Sequence, residues 1–292
     1  MLFTQLFYCS KFNSEITEVL SFGIINLFDY NKSHLSVFGV DNVYQSYRKM
    51  TTTFSKITSK NKRNISMFCA GSTMGAARYP FYRANNGSRK MLPRPFRSSL
   101  PNASGELYLQ KPDIKLIFKD IEDIALHYIL YIMPNGNQKT RILKSIHDCK
   151  KFVPNDLRIC GTFFTQLSMI GDMKFVECVE EVSPHVDSDD IFTAIVHLGK
   201  PITGGDLLIH SGNSSKNSGV ILKRNKFVNG NIHMGSFTNV VHSVSAWKGV
   251  RGALSLNLKS SMVDFFKDDV KSSLYTSYAQ MGYPSDNLFV VN

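Results

Sequence analysis

The spacing of apolar positions changes once along the chain, near residue 157, and predicts a helical lead-in followed by strands. From Asp113 to Ile132 apolar side chains recur every three or four residues, as on one face of an α-helix. Pro134 and Gly136 end this pattern, and a second, shorter helix is predicted over Lys139–Lys150. An amphipathic stripe of this kind usually packs against a sheet, so we expect both helices to be structural.

Beyond residue 157 short apolar and β-branched runs alternate with glycine, proline and asparagine turns, which we place at 199–201, 204–205, 211–213 and 229–230. One further helix is predicted over Met262–Gln280. This order indicates an α+β, mainly β protein: a β-sandwich or jelly roll with N-terminal flanking helices. The predicted strands are Ile159–Met169, Lys174–Val179, Ile191–Leu198, Asp206–His210, Gly219–Lys223, Asn231–Phe237, Asn239–Val244 and Arg251–Lys259.

The first 112 residues have weaker patterns. A short helix starting at Ser14 and a strand over Ser36–Val40 are predicted. The segment 51–104 is rich in Ser, Thr, Asn, Gly and Pro, and its runs at 85–88 and 92–95 predict turns or extended linker. Gly71 and Gly75 lack phosphate-loop spacing, which argues against a nucleotide site there.

Composition narrows the class of protein. With 43% hydrophobic and 12% aromatic residues, the chain can bury a core, and no apolar stretch is long enough to cross a membrane. The apolar N-terminus lacks the basic start of a signal peptide. Five cysteines without a C-x-x-C pair form neither a disulfide framework nor a zinc ribbon. We therefore expect an intracellular protein, nuclear or cytoplasmic rather than secreted.

The net charge of +11 is concentrated in the first half of the chain. Residues 42–100 contain 12 basic side chains, no acidic one, and interleaved Tyr and Phe residues. Basic groups neutralise phosphates and aromatic rings stack on bases, so this composition is typical of a DNA- or RNA-binding surface. A solvated basic arm without a partner has the same composition, and charge alone does not separate the two. The candidate nucleic-acid contacts are Arg89, Lys90, Arg94 and Arg97.

Three residues form a candidate metal site. His185 and Asp187 are two positions apart, so on a strand they point to the same face, and His242 follows His185 by 57 positions. Two imidazoles and one carboxylate are the facial ligand set of non-haem Fe(II) oxygenases, and they leave positions open for substrates. An H-x-D triplet alone arises often by chance, so the surrounding sequence has to decide.

That surrounding sequence resembles the 2-oxoglutarate/Fe(II)-dependent dioxygenase superfamily. After His242 come a turn, a glycine, and then Arg251 at the start of the last predicted strand. The run 202–207 (ITGGDL) is similar to the Gly-Gly-acid turn that lies between the two metal motifs in that family. The resemblance covers about residues 157–260. It implies a double-stranded β-helix with iron in its mouth, held by His185, Asp187 and His242.

The resemblance also implies a cosubstrate site and a reaction. Arg251 would bind the distal carboxylate of 2-oxoglutarate, since an arginine fork pairs bidentately with a carboxylate. Ser255 is the candidate second contact, because on an extended strand it shares a face with Arg251. Family members commonly have a hydroxyl two residues after this arginine, where this chain departs from the pattern with Ala253. Fe(II), 2-oxoglutarate and O2, with ascorbate as reductant, would oxidise or hydroxylate a prime substrate and release succinate and CO2.

On this basis we divide the chain into three parts. Residues 1–112 form an N-terminal region with a basic, Ser/Asn/Pro-rich segment at about 42–104. Residues 113–262 form the dioxygenase domain with its supporting helices, and residues 263–292 form a helical tail. His197, His210 and His233 are expected to be structural, and Asp189 and Asp190 to lie in a solvated loop.

The function has three candidates, which are two enzymes with different substrates and one binding module. The runs 164–167, 184–190 and 203–209 resemble the TET/JBP-type oxygenases of 5-methylpyrimidines. Together with the basic segment they favour a nucleic-acid base, which such an enzyme reaches by base flipping or in single strands. A protein hydroxylase of the prolyl or lysyl type would have the same core motifs. A jelly-roll nucleic-acid-binding module that has lost turnover is the third alternative.

Overall fold

The computed structural model describes residues 24–27, 59–60, 66–74, 81–83, 89–95, 112–172, 181–187, 189–212, 219–227, 232–280 and 289–290. All structural statements concern these ranges. The predicted helix at Ser14, the predicted strand Ser36–Val40 and the predicted strand Lys174–Val179 lie outside them.

The helices agree closely with the apolar spacing. Helix α1 (Pro112–His127) continues into a π-helical turn at Tyr128–Ile132, and α2 spans Asn137–Phe152. The single helix predicted over Met262–Gln280 is wrong: it is two helices, α3 (Ser260–Phe266) and α4 (Asp269–Gln280). Asp268 lies between them and accepts a hydrogen bond from the Lys271 N–H, so it caps the start of α4. None of the described helices is long and apolar enough to cross a membrane.

The strands are arranged in three sheets. The largest has the order β1-β12-β9-β14-β7-β3-β2, with β6 also paired to β3; a second has the order β11-β10-β13-β8; and a small third sheet is β15-β4-β5. In chain order the strands are β1 (Ile24–Leu27), β2 (Ser59–Lys60), β3 (Ser66–Met74), β4 (Phe81–Arg83), β5 (Arg89–Met91), β6 (Pro93–Pro95), β7 (Gln166–Asp172), β8 (Val182–His185), β9 (Asp190–Gly204), β10 (Leu207–His210), β11 (Ile221–Asn225), β12 (Ile232–Gly235), β13 (His242–Val244), β14 (Trp247–Lys259) and β15 (Phe289–Val290).

The eight strands from β7 to β14 form a double-stranded β-helix. Four of them, β12-β9-β14-β7, lie in the larger sheet, and the other four, β11-β10-β13-β8, make the second sheet. The chain crosses between the two sheets at almost every turn, and only β10 and β11 are consecutive strands of one sheet. This is the jelly-roll topology. The predicted fold class is confirmed.

Three local predictions are corrected by the strand pairing. The turn predicted at 199–201 lies inside β9, because Gly199 lets β9 approach β14: a Cβ there would lie 2.5 Å from the Val250 carbonyl oxygen. The strand predicted from Ile159 begins only at Gln166, because Cys160 has φ 50° and the Ile159 N–H closes a turn onto the Phe164 oxygen. Part of the predicted linker is ordered: β3 pairs with β7, and β6 with β3.

Successive side chains of β14 point alternately into two different apolar clusters. Leu254, Leu256 and Leu258 face outward into the large apolar cluster that also contains side chains from α1, α2 and α3. Ala253 faces inward, where it joins a small cluster between the two sheets. The other members of this inner cluster are Ile195, Leu207, Ile209, Phe237 and Val240. Arg251 is on the inward face too, which places a cation inside the barrel.

A buried carboxylate connects the helices to the start of the barrel. Glu122 on α1 is 2% exposed and accepts a hydrogen bond from the Phe163 N–H at 2.8 Å. Its two oxygens also contact Lys150 on α2 at 3.1 Å and Lys119 at 2.8 Å. One side chain therefore joins both helices to the segment that enters β7.

We expect Glu122→Ala to lower the free energy of unfolding by about 1–3 kcal/mol, because it leaves the buried Phe163 N–H without its acceptor. Urea denaturation followed by circular dichroism measures this change. The control is Asp123→Ala, which removes the neighbouring exposed carboxylate of α1 and should change stability by less than about 0.5 kcal/mol. Equal effects of the two substitutions would contradict the role given to Glu122.

Candidate metal centre

The three predicted ligands converge because β8 and β13 are neighbouring antiparallel strands. His185 lies directly opposite His242 in the register, and Asp187 follows β8 by two residues. One ligand atom from each residue lies within 4.8 Å of the others. The Asp187 carboxylate oxygens are each 3.8 Å from an imidazole Nε2, one from His185 and one from His242. Asp187 lies beyond the end of the strand, and its N–H donates to the Phe237 oxygen.

Both imidazoles are held in the orientation that a metal ligand needs. The Nδ1 of His185 lies 2.9 Å from the Ser183 carbonyl oxygen, and the Nδ1 of His242 lies 3.0 Å from that of Val240. A carbonyl only accepts, so each Nδ1 carries the proton and each Nε2 keeps its lone pair. The sequence could not indicate these partners, because every residue has a carbonyl group.

Burial favours the neutral form of His242. His242 is 5% exposed, and burial lowers its pKa, although the Asp187 carboxylate acts in the opposite direction. A neutral imidazole and an ionised carboxylate are the protonation states that bind a divalent cation. Two imidazole nitrogens and one carboxylate within 4.8 Å of one another are a ligand set that suits Fe(II).

Arg251 is buried inside the barrel, at 2% exposure. Its Nε donates to the Gly205 carbonyl oxygen at 2.9 Å, and its guanidinium carbon lies 5.0 Å from the Trp247 ring and 5.6 Å from the Phe227 ring. The sequence contains no signal for these aromatic neighbours, because Phe227 and Trp247 approach Arg251 through tertiary contacts. Both rings face a cation that they can stabilise.

The glycine pair of the β9–β10 turn is explained by these contacts. Gly205 has φ +81°, and a Cβ there would lie 2.7 Å from Arg251 Cδ. At Gly204, a Cβ would lie 1.8 Å from the Ala246 carbonyl oxygen. Any other residue would push the turn away from β14 or displace the arginine. The Gly-Gly motif is therefore part of the arginine site.

The register relates Arg251 to the metal triad. His242 lies opposite Ile209 on β10, and Gly205, which accepts from Arg251, precedes Ile209 by four residues. At ~3.3 Å per residue, this separation is about 13 Å along the barrel. Ile209 and Ala253 belong to the inner apolar cluster. The Arg251 guanidinium and the triad thus lie at different positions along the barrel, whose interior is lined by this cluster.

Ser255 stays a prediction as a cosubstrate contact, and the geometry weakens it. It shares the inward face of β14 with Arg251 but is four residues away, about 13 Å at ~3.3 Å per residue. Its hydroxyl donates to the Asn257 side-chain oxygen at 2.8 Å. Arg89 and Lys90 lie on β5 and Arg94 on β6, whereas Arg97 is outside the described residues.

Two carboxylates expected in a solvated loop have protein partners instead. Asp190 is buried beside Lys259, 2.5 Å away, and burial raises its pKa to about 7 despite that cation. Asp189 accepts from the Ser261 N–H at 2.9 Å and from the hydroxyls of Ser260 and Ser261, so it caps α3. These contacts connect the start of β9 to the end of β14 and the start of α3.

Of the other histidines, two form a buried pair. His197 Nε2 lies 2.6 Å from His233 Nδ1, with the ring of Phe227 in edge contact with His197. Burial lowers the pKa of both, and the Arg251 charge lowers both further. A ring nitrogen of His210 lies 2.7 Å from the hydroxyl of Ser243, the residue next to His242.

The His197–His233 pair predicts that acid destabilises the metal-free protein. Burial lowers the pKa of His233 to about 3, against 6.5 in a solvated chain, so between these values the unfolded state binds more protons than the folded state. Stability is therefore fully present above pH 6.5 and falls as the pH decreases below it, by about 1.4 kcal/mol per unit from this residue.

Urea denaturation at pH 7, 6 and 5 measures this dependence. We expect His233→Asn to reduce the slope of unfolding free energy against pH, because the titrating group is gone. His147→Asn, at an exposed site on α2, is the control and should keep the wild-type slope. An unchanged slope in His233→Asn would show that this histidine is not a buried neutral group.

Comparisons with known proteins come from structure alone. No protein-family model and no curated protein matches the sequence. The chain is similar to the structure of NgTET1 in complex with 5mC DNA, with 12% identity, a TM-score of 0.46, and coverage of 82% of this chain and 73% of that one. It is also similar to a prolyl hydroxylase from Trichoplax adhaerens, with 12% identity, a TM-score of 0.38, and coverage of 84% and 87%.

A 2OG-Fe(II) oxygenase from Burkholderia pseudomallei is a third such structure, with 12% identity, a TM-score of 0.35, and coverage of 79% of this chain and 92% of that chain. The fold is assigned from the strand order of this chain, and not from these similarities. That order is the double-stranded β-helix which the sequence resemblance to the 2-oxoglutarate/Fe(II)-dependent dioxygenase superfamily implied.

Proposed function

We propose that the protein is a 2-oxoglutarate-dependent non-haem Fe(II) dioxygenase that hydroxylates or oxidises a prime substrate. The observation that carries the proposal is the triad of His185, Asp187 and His242, whose ligand atoms lie within 4.8 Å of one another. Both imidazoles have Nδ1 committed to a backbone carbonyl, so both Nε2 atoms are available. Buried Arg251 adds a cation suited to a carboxylate within the same barrel.

The residues have separable tasks in this proposal. His185, Asp187 and His242 would hold Fe(II), which with 2-oxoglutarate and O2 supplies the oxidation of a substrate C–H bond, with release of succinate and CO2. Arg251 would bind and orient the distal carboxylate of 2-oxoglutarate. The inner apolar cluster around Ile209 and Ala253 would exclude water from the space between them. Ascorbate would serve as the external reductant.

For the prime substrate we propose a base in nucleic acid, with a 5-methylpyrimidine as the first candidate. The support is the segment 42–100, with 12 basic residues, no acid and interleaved aromatic residues. A protein hydroxylase of the prolyl or lysyl type would use the same triad. A binding module without turnover would keep the fold and lose the reaction. Metal binding, succinate formation and the response to added substrates distinguish these alternatives.

Metal binding and succinate formation test the enzyme proposal together. We expect Fe(II), 2-oxoglutarate and ascorbate to give succinate, and Asp187→Ala to abolish it. The same change should weaken Mn(II) binding, measured by calorimetry, by more than the roughly 10–100-fold that loss of a partner behind the ligands causes.

The matched control is Asp264→Ala, which removes an exposed carboxylate from α3 and should leave both readouts unchanged. Mn(II) binding without succinate under any condition would favour the inactive module. Unchanged metal affinity in Asp187→Ala would refute the site itself.

Substrate class is tested by adding methylated DNA, RNA or proline- and lysine-containing peptides to the same assay. We expect methylated DNA or RNA to raise succinate formation, and binding to weaken as salt increases. Changing Arg89, Lys90, Arg94 and Arg97 to Gln should reduce the slope of log K against log salt by up to about 0.9 for each phosphate that is no longer neutralised. Stimulation by peptide alone would replace the nucleic-acid proposal with a protein hydroxylase.

A further inference from the structure

His197 on β9 is a second potential hydrogen-bond donor near Arg251. It lies opposite Ala253, the position on β14 where related proteins commonly have a hydroxyl. Ala253 pairs directly with His197 across β14 and β9, so both residues point into the barrel. Arg251, two residues before Ala253, is a diagonal neighbour of His197 on the same face, a spacing of about 7–8 Å that long side chains bridge. Both contact Phe227, whose ring is 5.8 Å from the His197 ring and 5.6 Å from the Arg251 guanidinium carbon.

The buried histidine pair has hydrogen-bonding capacity that no described residue uses. His197 Nε2 and His233 Nδ1 share one hydrogen bond, 2.6 Å long. Within the described part of the chain, His197 Nδ1 and His233 Nε2 have no partner, although both residues are at most 3% exposed. A buried polar atom without a partner is unfavourable, and a ligand with an acceptor or donor at this place would provide one.

We propose that His197 is a carboxylate-binding residue: its Nδ1–H donates to the same distal carboxylate of 2-oxoglutarate that Arg251 pairs with. The proposal rests on the proposed function. His233 is the positioning residue, because a proton on its Nδ1 donated to His197 Nε2 leaves the His197 proton on Nδ1. His197 thus provides, from β9, the donor that Ala253 cannot provide from β14.

The pair acts as a neutral donor. Burial lowers the pKa of both histidines, the charge of Arg251 lowers both further, and Lys223 adds to the shift of the His233 pKa. The contact is therefore an N–H to carboxylate hydrogen bond, and the guanidinium remains the charge partner of the ligand.

Fluorescence provides a direct binding readout, because Trp247 is the single tryptophan of the chain and lies 5.0 Å from the Arg251 guanidinium carbon. The Mn(II)-loaded protein is titrated with 2-oxoglutarate and with 2-oxopentanoate, which has the same carbon chain but a methyl group in place of the distal carboxylate. We expect His197→Phe to weaken 2-oxoglutarate binding by about 10-fold or more, as loss of a hydrogen bond to a charged group does. Affinity for 2-oxopentanoate should stay within about twofold.

Two further variants separate the donor from the shape of the side chain. His197→Asn, whose amide can donate near the position of Nδ1, should keep 2-oxoglutarate affinity within about threefold. His197→Phe combined with Ala253→Ser puts a hydroxyl two residues after Arg251 and should recover part of the loss. Circular dichroism checks that each variant is folded.

The wild-type protein allows a test without substitution. In nitrogen-15 spectra, 2-oxoglutarate should fix His197 in the tautomer with a protonated Nδ1 and an unprotonated Nε2. The opposite tautomer, or an unchanged preference for 2-oxoglutarate over 2-oxopentanoate in His197→Phe, would overturn the role of His197 alone. If the wild-type protein bound neither 2-oxo acid in the presence of Mn(II), the proposed function itself would fail.

Discussion

The antiparallel pairing of β8 with β13 is the constraint on which the candidate site depends. It brings His185 opposite His242, although they are 57 positions apart in the sequence, and the chain reaches this pairing only by completing the intervening strands of the barrel. The ligand atoms meet because each ring is fixed by a carbonyl two residues earlier, at Ser183 and Val240. The same local geometry thus occurs on both strands. Barrel closure supplies the long-range contact, and the backbone supplies the orientation of each ring.

Alternation along β14 connects stability with chemistry. The outward leucines pack on the helices, and fully burying one such side chain is worth about 1.5–3 kcal/mol. A shift of one residue would exchange these leucines with the inward residues Arg251, Ala253, Ser255 and Asn257. The helix-packed core therefore also fixes the register that places Arg251 inside the barrel. The packing of the helices on β14 thus helps to keep the arginine in position.

The sequence predicted the fold class, both N-terminal helices and the set of residues that converge, because these depend on periodicity and on residue type at fixed spacing. The sequence-based predictions were wrong at positions whose structure is determined by a tertiary contact. Gly199 indicated a turn, yet its missing side chain serves the contact of β9 with β14. Asp189 and Asp190 resembled loop residues, yet one caps α3 and the other pairs with Lys259. Cross-strand partners such as Ala253 and His197 have no signature in a single sequence.

Charge balance links the metal triad to the arginine pocket. A divalent ion with Asp187 leaves one positive charge, and buried Arg251 adds a second, while the His197–His233 pair stays neutral. Asp190 lies against Lys259, so that pair adds no net charge when both are ionised. Arg251 is buried and the triad is partly exposed, so in the proposed function the arginine charge is the stronger reason for a ligand carrying two negative charges. A dicarboxylate such as 2-oxoglutarate supplies both, and a monocarboxylate leaves the arginine uncompensated. In the proposed function, the preference for a dicarboxylate thus follows mainly from the buried charge of Arg251.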